Sequence, residues 1–238
     1  MGLSLWVGML SQTDPAERPG LREEIALLNE VLLQRGLPRH NEPEDLPDDA
    51  VFEAQMLGYS GLHYVRRLAA HHMLTGCLPA PATHDDAADD PLILEANNAV
   101  MMGRRRPRRG GWVSRLLGRR SVVPPVYSHL LLHSDCEGFY VPQDFPQVIL
   151  DDAEPQRPSL GGMVGSSVRL LAECHALAGL IGLPADIDVE SEELWKVADQ
   201  PAKDGPLWKV YGAEAFGLAR LIRGCEVSIR HGALLVFC

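Results

Sequence analysis

The densest run of reactive side chains in the chain is His129-Leu130-Leu131-Leu132-His133-Ser134-Asp135-Cys136-Glu137-Gly138-Phe139-Tyr140-Val141-Pro142. Three chemistries could live there. Two histidines invite a metal, but on a strand over 126–134 they would stand roughly 13 Å apart, four residues at about 3.3 Å each. That is too far for one ion whose ligands lie about 2 Å away. His133, Ser134 and Asp135 contain the residue types of a hydrolase triad. Consecutive strand residues point to opposite faces, however, whereas a triad needs its members to converge. Cys136 could be a nucleophile, but Asp135 and Glu137 beside it disfavour a thiolate. The competing structural reading is a hairpin turn in which Asp135 bonds its own backbone.

A second cluster is Gly161-Gly162-Met163-Val164-Gly165-Ser166-Ser167, which leads into a helix. Amides at a helix start can hold an anion and glycines admit close approach, although the same letters spell an ordinary capped helix. Glu214 lies on the inward stripe of the last helix. It is a general-base candidate if buried, and otherwise a first-turn acid favoured by the helix dipole. No phosphate-binding loop, dinucleotide fingerprint or G-x-S-x-G elbow occurs. No tightly bound metal and no cofactor is expected.

These clusters sit on a chain with a divided charge. Residues 104–120 carry eight arginines and no acid, while the rest has 14 basic against 32 acidic residues. Such a body repels phosphates, so nucleic acid is an improbable partner except through Arg104–Arg120. Trp112, Val113, Leu116 and Leu117 among those arginines could form a basic amphipathic helix for a lipid surface, an acidic partner or the chain's own acidic body. Cys77, Cys136, Cys174, Cys225 and Cys238 show no C-x-x-C spacing, so they read as reduced thiols. No window spans a membrane, the N-terminus lacks the features of a signal peptide, and Trp6 breaks the myristoylation pattern. A cytoplasmic location is expected.

The elements that must position these residues are legible by period. Leu3, Leu5, Val7 and Met9 alternate as in a strand. Leu21, Ile25, Leu28 and Leu32 mark a helix ending at Gly36-Leu37-Pro38, and Gly182-Leu183-Pro184 ends a later one in the same way. A helix from Ser60 to Gly76 places His72 in its buried stripe as a core histidine, with His63 and Arg67 pointing away. Residues 80–123 read as a flexible insertion that cannot fill a core, within which Leu92–Met102 forms a short helix. Strands follow over 126–134, 139–141 and 147–150, with a hairpin turn at 135–138. Helices then run from Ser166 to Gly182 and from Gly212 to His231. The latter turns Leu218, Leu221, Ile222, Cys225 and Ile229 inward, and a strand over 233–237 closes the chain. The fold class is α+β, a single domain with a small, mostly antiparallel sheet and four to five helices.

The run His133–Pro142 followed by Asp144-Phe145, together with Gly165-Ser166-Ser167, Arg169-Leu170-Leu171 and Glu173, resembles a signature of uncharacterised bacterial proteins. So does the ending from Ser228-Ile229 to Val236-Phe237-Cys238. The resemblance implies a shape and no activity, and the arginine tract is where this chain departs from it. Two function classes follow. The first is a non-enzymatic cytosolic binding protein, such as an immunity protein that covers a basic toxin domain through its acidic surface. The second is a hydrolase-like enzyme built on the 133–140 hairpin and the 165–167 helix start. His133, Asp135, Glu137, Tyr140, Gly165, Ser166 and Ser167 are the expected ligand- or partner-binding residues under either.

Overall fold

Alternation of apolar and polar residues at the N-terminus produces β1, Ser4–Val7, with Leu5 and Val7 wholly buried. In the computed structural model, residues 3–57, 60–81, 87–103, 126–133, 138–150, 160 and 162–237 are described. The remaining strands are β2 (Phe52–Gln55), β3 (Phe139–Val141), β4 (Ile149–Leu150), β5 (Met163–Ser166) and β6 (Leu235–Phe237). They form one six-stranded sheet in the order β2-β1-β6-β3-β5-β4. Every neighbouring pair is antiparallel except β3 with β5. The mostly antiparallel α+β expectation therefore holds.

Nine α-helices occur among the described residues: α1 (Met9–Gln12), α2 (Arg18–Gln34), α3 (Ser60–Thr75), α4 (Pro91–Met101), α5 (Ser128–Leu131), α6 (Ser167–Ile181), α7 (Glu192–Asp199), α8 (Leu207–Val210) and α9 (Gly212–His231). The excess over the expected four to five consists of the one-turn helices α1, α5 and α8 and the two-turn α7. Both anticipated helix stops are present. Gly36 and Gly182 take left-handed φ of 72° and 65°, and the amides of Leu37 and Leu183 reach back to the carbonyls of Leu32 and Ala178 at 2.9 and 3.0 Å. Without a Cβ, glycine enters this region at little cost.

The sheet is packed on both faces, and its period of two sends alternate residues to one or the other. Leu5, Tyr140, Met163, Leu235 and Phe237 join the larger core with α3, α4, α6 and α9. Phe139, Val141, Val164 and Val236 join Leu28, Val31 and Leu32 of α2 on the opposite face.

Four expectations are corrected here. Residues 126–134 are not a strand, because Ser128–Leu131 is helical. The 13 Å argument about His129 and His133 therefore lapses. A short apolar run such as Leu130-Leu131-Leu132 does not reveal its period, and the Glu173 carboxyl group fixes the outcome by accepting the amides of His129 and Leu130 at 3.0 and 2.8 Å. Nor does β3 form a hairpin with the preceding segment, since its partners are β5 and β6. Met163–Ser166, read as a lead-in to a helix, is itself a strand. Its glycine lowers strand propensity, but pairing on both sides overrides that. Ile229, expected inward, is 36% exposed.

Within the supposed insertion, α4 is capped by Asp90, whose carboxylate accepts Leu92 N and also binds Arg67 and His71 of α3. It delivers Ile93 and Ala96 to the main core. The expectation that 80–123 cannot fill a core therefore does not extend to this helix. The arginine segment 104–120 lies outside the described residues.

The helix α9 is buried along most of its length, and its small residues let neighbours approach closely. A Cβ on Gly212 would overlap the Val197 carbonyl of α7. Gly212→Ala is expected to destabilise the protein by about 1–3 kcal/mol through forced displacement of α7. Ile93→Ala should cost about 2–4 kcal/mol as a core truncation, whereas replacing 104–123 with a short flexible linker should leave the Tm within a few degrees. Thermal and urea unfolding check all three.

Candidate functional site

Five of the seven residues singled out by sequence as ligand- or partner-binding fall into one buried neighbourhood. Tyr140 on β3 and Gly165 on β5 are register partners, and a Cβ at Gly165 would stand 2.5 Å from Tyr140 Cε1. Glycine is needed there to leave room for the ring. The Ser166 hydroxyl donates to Gln143 O and accepts Arg169 N at 3.1 Å, capping α6. Ser167 Oγ shares a 2.8 Å hydrogen bond with Ser228 Oγ of α9, which in turn donates to Ala233 O. His133 is buried, with its ring 3.9 Å from that of Phe237 and 5.4 Å from that of Tyr140. Asp135, Cys136 and Glu137 lie outside the described residues. His133, Tyr140, Gly165, Ser166 and Ser167 are thus brought together, but in the interior.

The centre of this neighbourhood is Glu173 on α6, which the sequence reading noted only as part of a motif. Besides the two amides of α5, its carboxyl accepts Ser128 Oγ at 3.5 Å. Tyr140 Oη donates to His129 O, and Ser166 N donates to His129 Nδ1 at 3.1 Å. Glu173 therefore binds α5 to α6, and His129 binds α5 to β5. Burial pushes the Glu173 carboxyl up to about 8 against the opposing pull of those N–H groups. Burial also drives His129 down to about 4, so its ring is neutral at pH 7. The thiols of Cys174 and Cys225 are raised by burial and behave as small hydrophobes. Glu214 is buried as well, with its carboxyl raised to about 7. It occupies the first turn of α9 and the inward stripe at once, so the two readings of Glu214 from sequence are not exclusive. Among the described residues, no three His, Cys, Asp or Glu side chains are grouped to hold a metal ion.

Exposed chemistry lies elsewhere, on a stretch the sequence reading passed over. Asp186-Ile187-Asp188-Val189-Glu190-Ser191-Glu192-Glu193 holds five carboxylates and no base. Ile187 and Val189 pack against the main core, while Asp186, Asp188, Glu190, Glu192 and Glu193 are exposed. Ser191 caps α7 by accepting Leu194 N at 3.3 Å, and Glu192 and Glu193 occupy the first turn, where the helix dipole favours acids. The alternation of acid with apolar residues was the available signal. It belongs to a strand-like period and hides a docked loop.

Two basic residues meet this ridge from within the chain. Lys209 Nζ pairs with Glu193 at 2.6 Å, and Arg220 Nη2 with Glu190 at 3.2 Å. Arg220 is wholly buried and carries its guanidinium 3.5 Å from the Phe216 ring and 4.8 Å from that of Trp195. Burial lowers its pKa to about 10, with Glu190 opposing. Asp186, Asp188 and Glu192 form no ion pair among the described residues. The opposite face, on α2, also bears acids, but Arg22 there binds Glu44 in a bidentate pair at 3.1 and 2.8 Å.

An acidic α+β protein with its polar interior consumed by its own fold and its free carboxylates ordered on the outside is the class these features define. The chain belongs to a family described as "Putative DNA-mimic protein", whose model matches residues 1–237. Searches of curated proteins and of solved structures return no match. Family membership accords with the resemblance to uncharacterised proteins and implies a protein partner. It overturns the expectation of an immunity protein and the alternative of a hydrolase-like enzyme. No helix among the described residues is long and apolar enough to cross a membrane.

The buried carboxyl and imidazole make a prediction about pH. Glu173 is held protonated in the fold while it is ionised in the unfolded chain from about pH 4.5 to about 8, so it costs stability as pH rises through that window. His129 acts in the opposite sense between about 4 and 6.5, because the unfolded chain then takes the extra proton. The two effects separate above pH 6.5. Between pH 6.5 and 8 the Tm should fall, and in Glu173→Gln it should start lower but decline less. A thermal melt series across that range reads both.

Proposed function

We propose that this protein binds a DNA-binding protein in place of DNA, presenting carboxylates where duplex DNA presents phosphates. The family match over nearly the whole chain carries this reading. The ordered ridge Asp186–Glu193 supports it. A DNA-binding face is studded with Lys and Arg that neutralise phosphates. A protein competes for such a face only if its charges are held in place, since mobile side chains lose freedom on binding. Here the apolar alternates Ile187 and Val189 fix the backbone between the carboxylates. Under this reading the protein works in the cytoplasm, where DNA-binding proteins act, and exerts its effect by occupancy, without chemical change of the partner.

Long-range attraction should dominate the encounter. It is screened over about 8 Å at physiological salt. With the immobilised chain and a nuclease-treated bacterial lysate, the retained proteins should be released by added duplex DNA. Raising salt from 50 to 500 mM should slow their association about tenfold or more and change dissociation much less. Retained proteins indifferent to duplex DNA would overturn the reading.

A further inference from the structure

The acidic ridge leads into α7, which holds an apolar side chain half out of the protein. Trp195 on α7 is 40% exposed, although its neighbours Leu194, Val197 and Ala198 are buried. Its ring meets Phe216 edge-on, with centroids 4.6 Å apart and planes at 68°. Beneath it lies the Arg220 guanidinium, wholly buried, with no hydrogen-bond partner for Nε or Nη1 among the described residues. Leaving two donors of a buried cation unpaired is costly. Among the described residues, the two aromatic faces and Glu190 are its compensation. That cost is borne where an aromatic side chain emerges on the helix that the acidic ridge leads into.

Resting on the DNA-mimic reading, we propose that the α7 face is the docking surface: Trp195 is its central anchor, Asp186, Asp188 and Glu192 are its phosphate substitutes, and its partner is the Lys/Arg-rich DNA-binding face of a protein. Charge complementarity selects that partner, because a neutral or acidic surface gains nothing from carboxylates that have no counterion among the described residues. Trp195 supplies what carboxylates cannot. A rigid indole brings large apolar contact area at low entropic cost and offers its face to an arginine of the partner. The Phe216 and Arg220 contacts hold the ring before the partner arrives, so little freedom remains to be lost. Such aromatic anchors ringed by polar groups dominate the energetics of protein interfaces. The ridge then governs how fast the partner arrives, and Trp195 how long it stays.

The test uses the full chain and, as probe, the proteins of a bacterial lysate that bind a duplex-DNA resin and elute with salt. For each protein band whose rebinding to the resin the wild-type chain blocks, the half-blocking concentration is measured. Trp195→Ala and the triple variant Asp186→Asn/Asp188→Asn/Glu192→Gln should each raise it about tenfold or more. A control triple on α2, Glu23→Gln/Glu24→Gln/Glu30→Gln, removes the same number of charges from the other face and should change it less than about twofold. All variants are first shown to melt within a few degrees of wild type. Should Trp195→Ala fail that check, the exposed carboxamide triple against the α2 control decides the question. If the wild type blocks but the α7-face variants match it, or the α2 control loses as much, the proposed surface is wrong and the DNA-mimic reading stands. If the wild type blocks no band, the DNA-mimic reading falls and the docking surface with it.

Discussion

A helix of twenty residues that is enclosed on most sides sets the conditions for everything around it. The helix α9 touches α3, α6, α7 and three strands of the sheet, and 14 of its residues are buried, Glu214 and Arg220 among them. To be enclosed it must present small residues, and Gly212, Gly217 and Gly224 stand where a Cβ would press on α7, α3 and the sheet respectively. Enclosure also forces the charged members to find compensation inside. Arg220 does so with two aromatic rings and the single carboxylate of Glu190. That solution reaches the surface, because Trp195 and Glu190 both lie at the rim. The interior demand of one helix thereby shapes the exterior of another.

A similar constraint operates at the other end of the core. A one-turn helix such as α5 gains little from its own hydrogen bonds. It persists because Glu173 receives its first amides and His129 receives Ser166 N. The parallel pair β3 and β5 is held in place by the same group of side chains, with Tyr140 passing over Gly165 to reach the His129 carbonyl. His129, Tyr140 and Ser166, which look reactive in the sequence, are thus spent on joining segments far apart in the chain. Their density reflects a junction that is short of regular secondary structure and therefore relies on side-chain hydrogen bonds.

This contrast explains what could be read in advance. The bounds of α9 were legible because its apolar residues recur at helical spacing without interruption, and β1 because its alternation is strict. The stops at Gly36 and Gly182 were legible because left-handed backbone calls for glycine. The pair β3 and β5 was not, since a parallel pairing depends on residues far away, and neither Phe139-Tyr140-Val141 nor Met163–Ser166 encodes its partner. The helical turn at Ser128–Leu131 was hidden for a related reason: its stabilising acceptor lies 43 to 45 residues downstream. The exposed ridge escaped notice because Asp186–Glu193 offers no catalytic motif, and a solvated run of acids is ordinary on a protein surface. Only the burial of Ile187 and Val189 and the path of Arg220 set it apart.

The alternation of Ile187 and Val189 with carboxylates has a consequence for how such a surface can change over time. Its charges are not independent letters that can drift one by one, because their positions are dictated by which hydrophobic residues fit the groove below. On the proposed docking surface, a lineage that repacked the core beneath Ile187 and Val189 would shift the whole array, and with it the choice of partner, while leaving every acid in the sequence untouched. Recognition is in this sense inherited through the core. Two relatives could carry identical acids here and still answer to different partners.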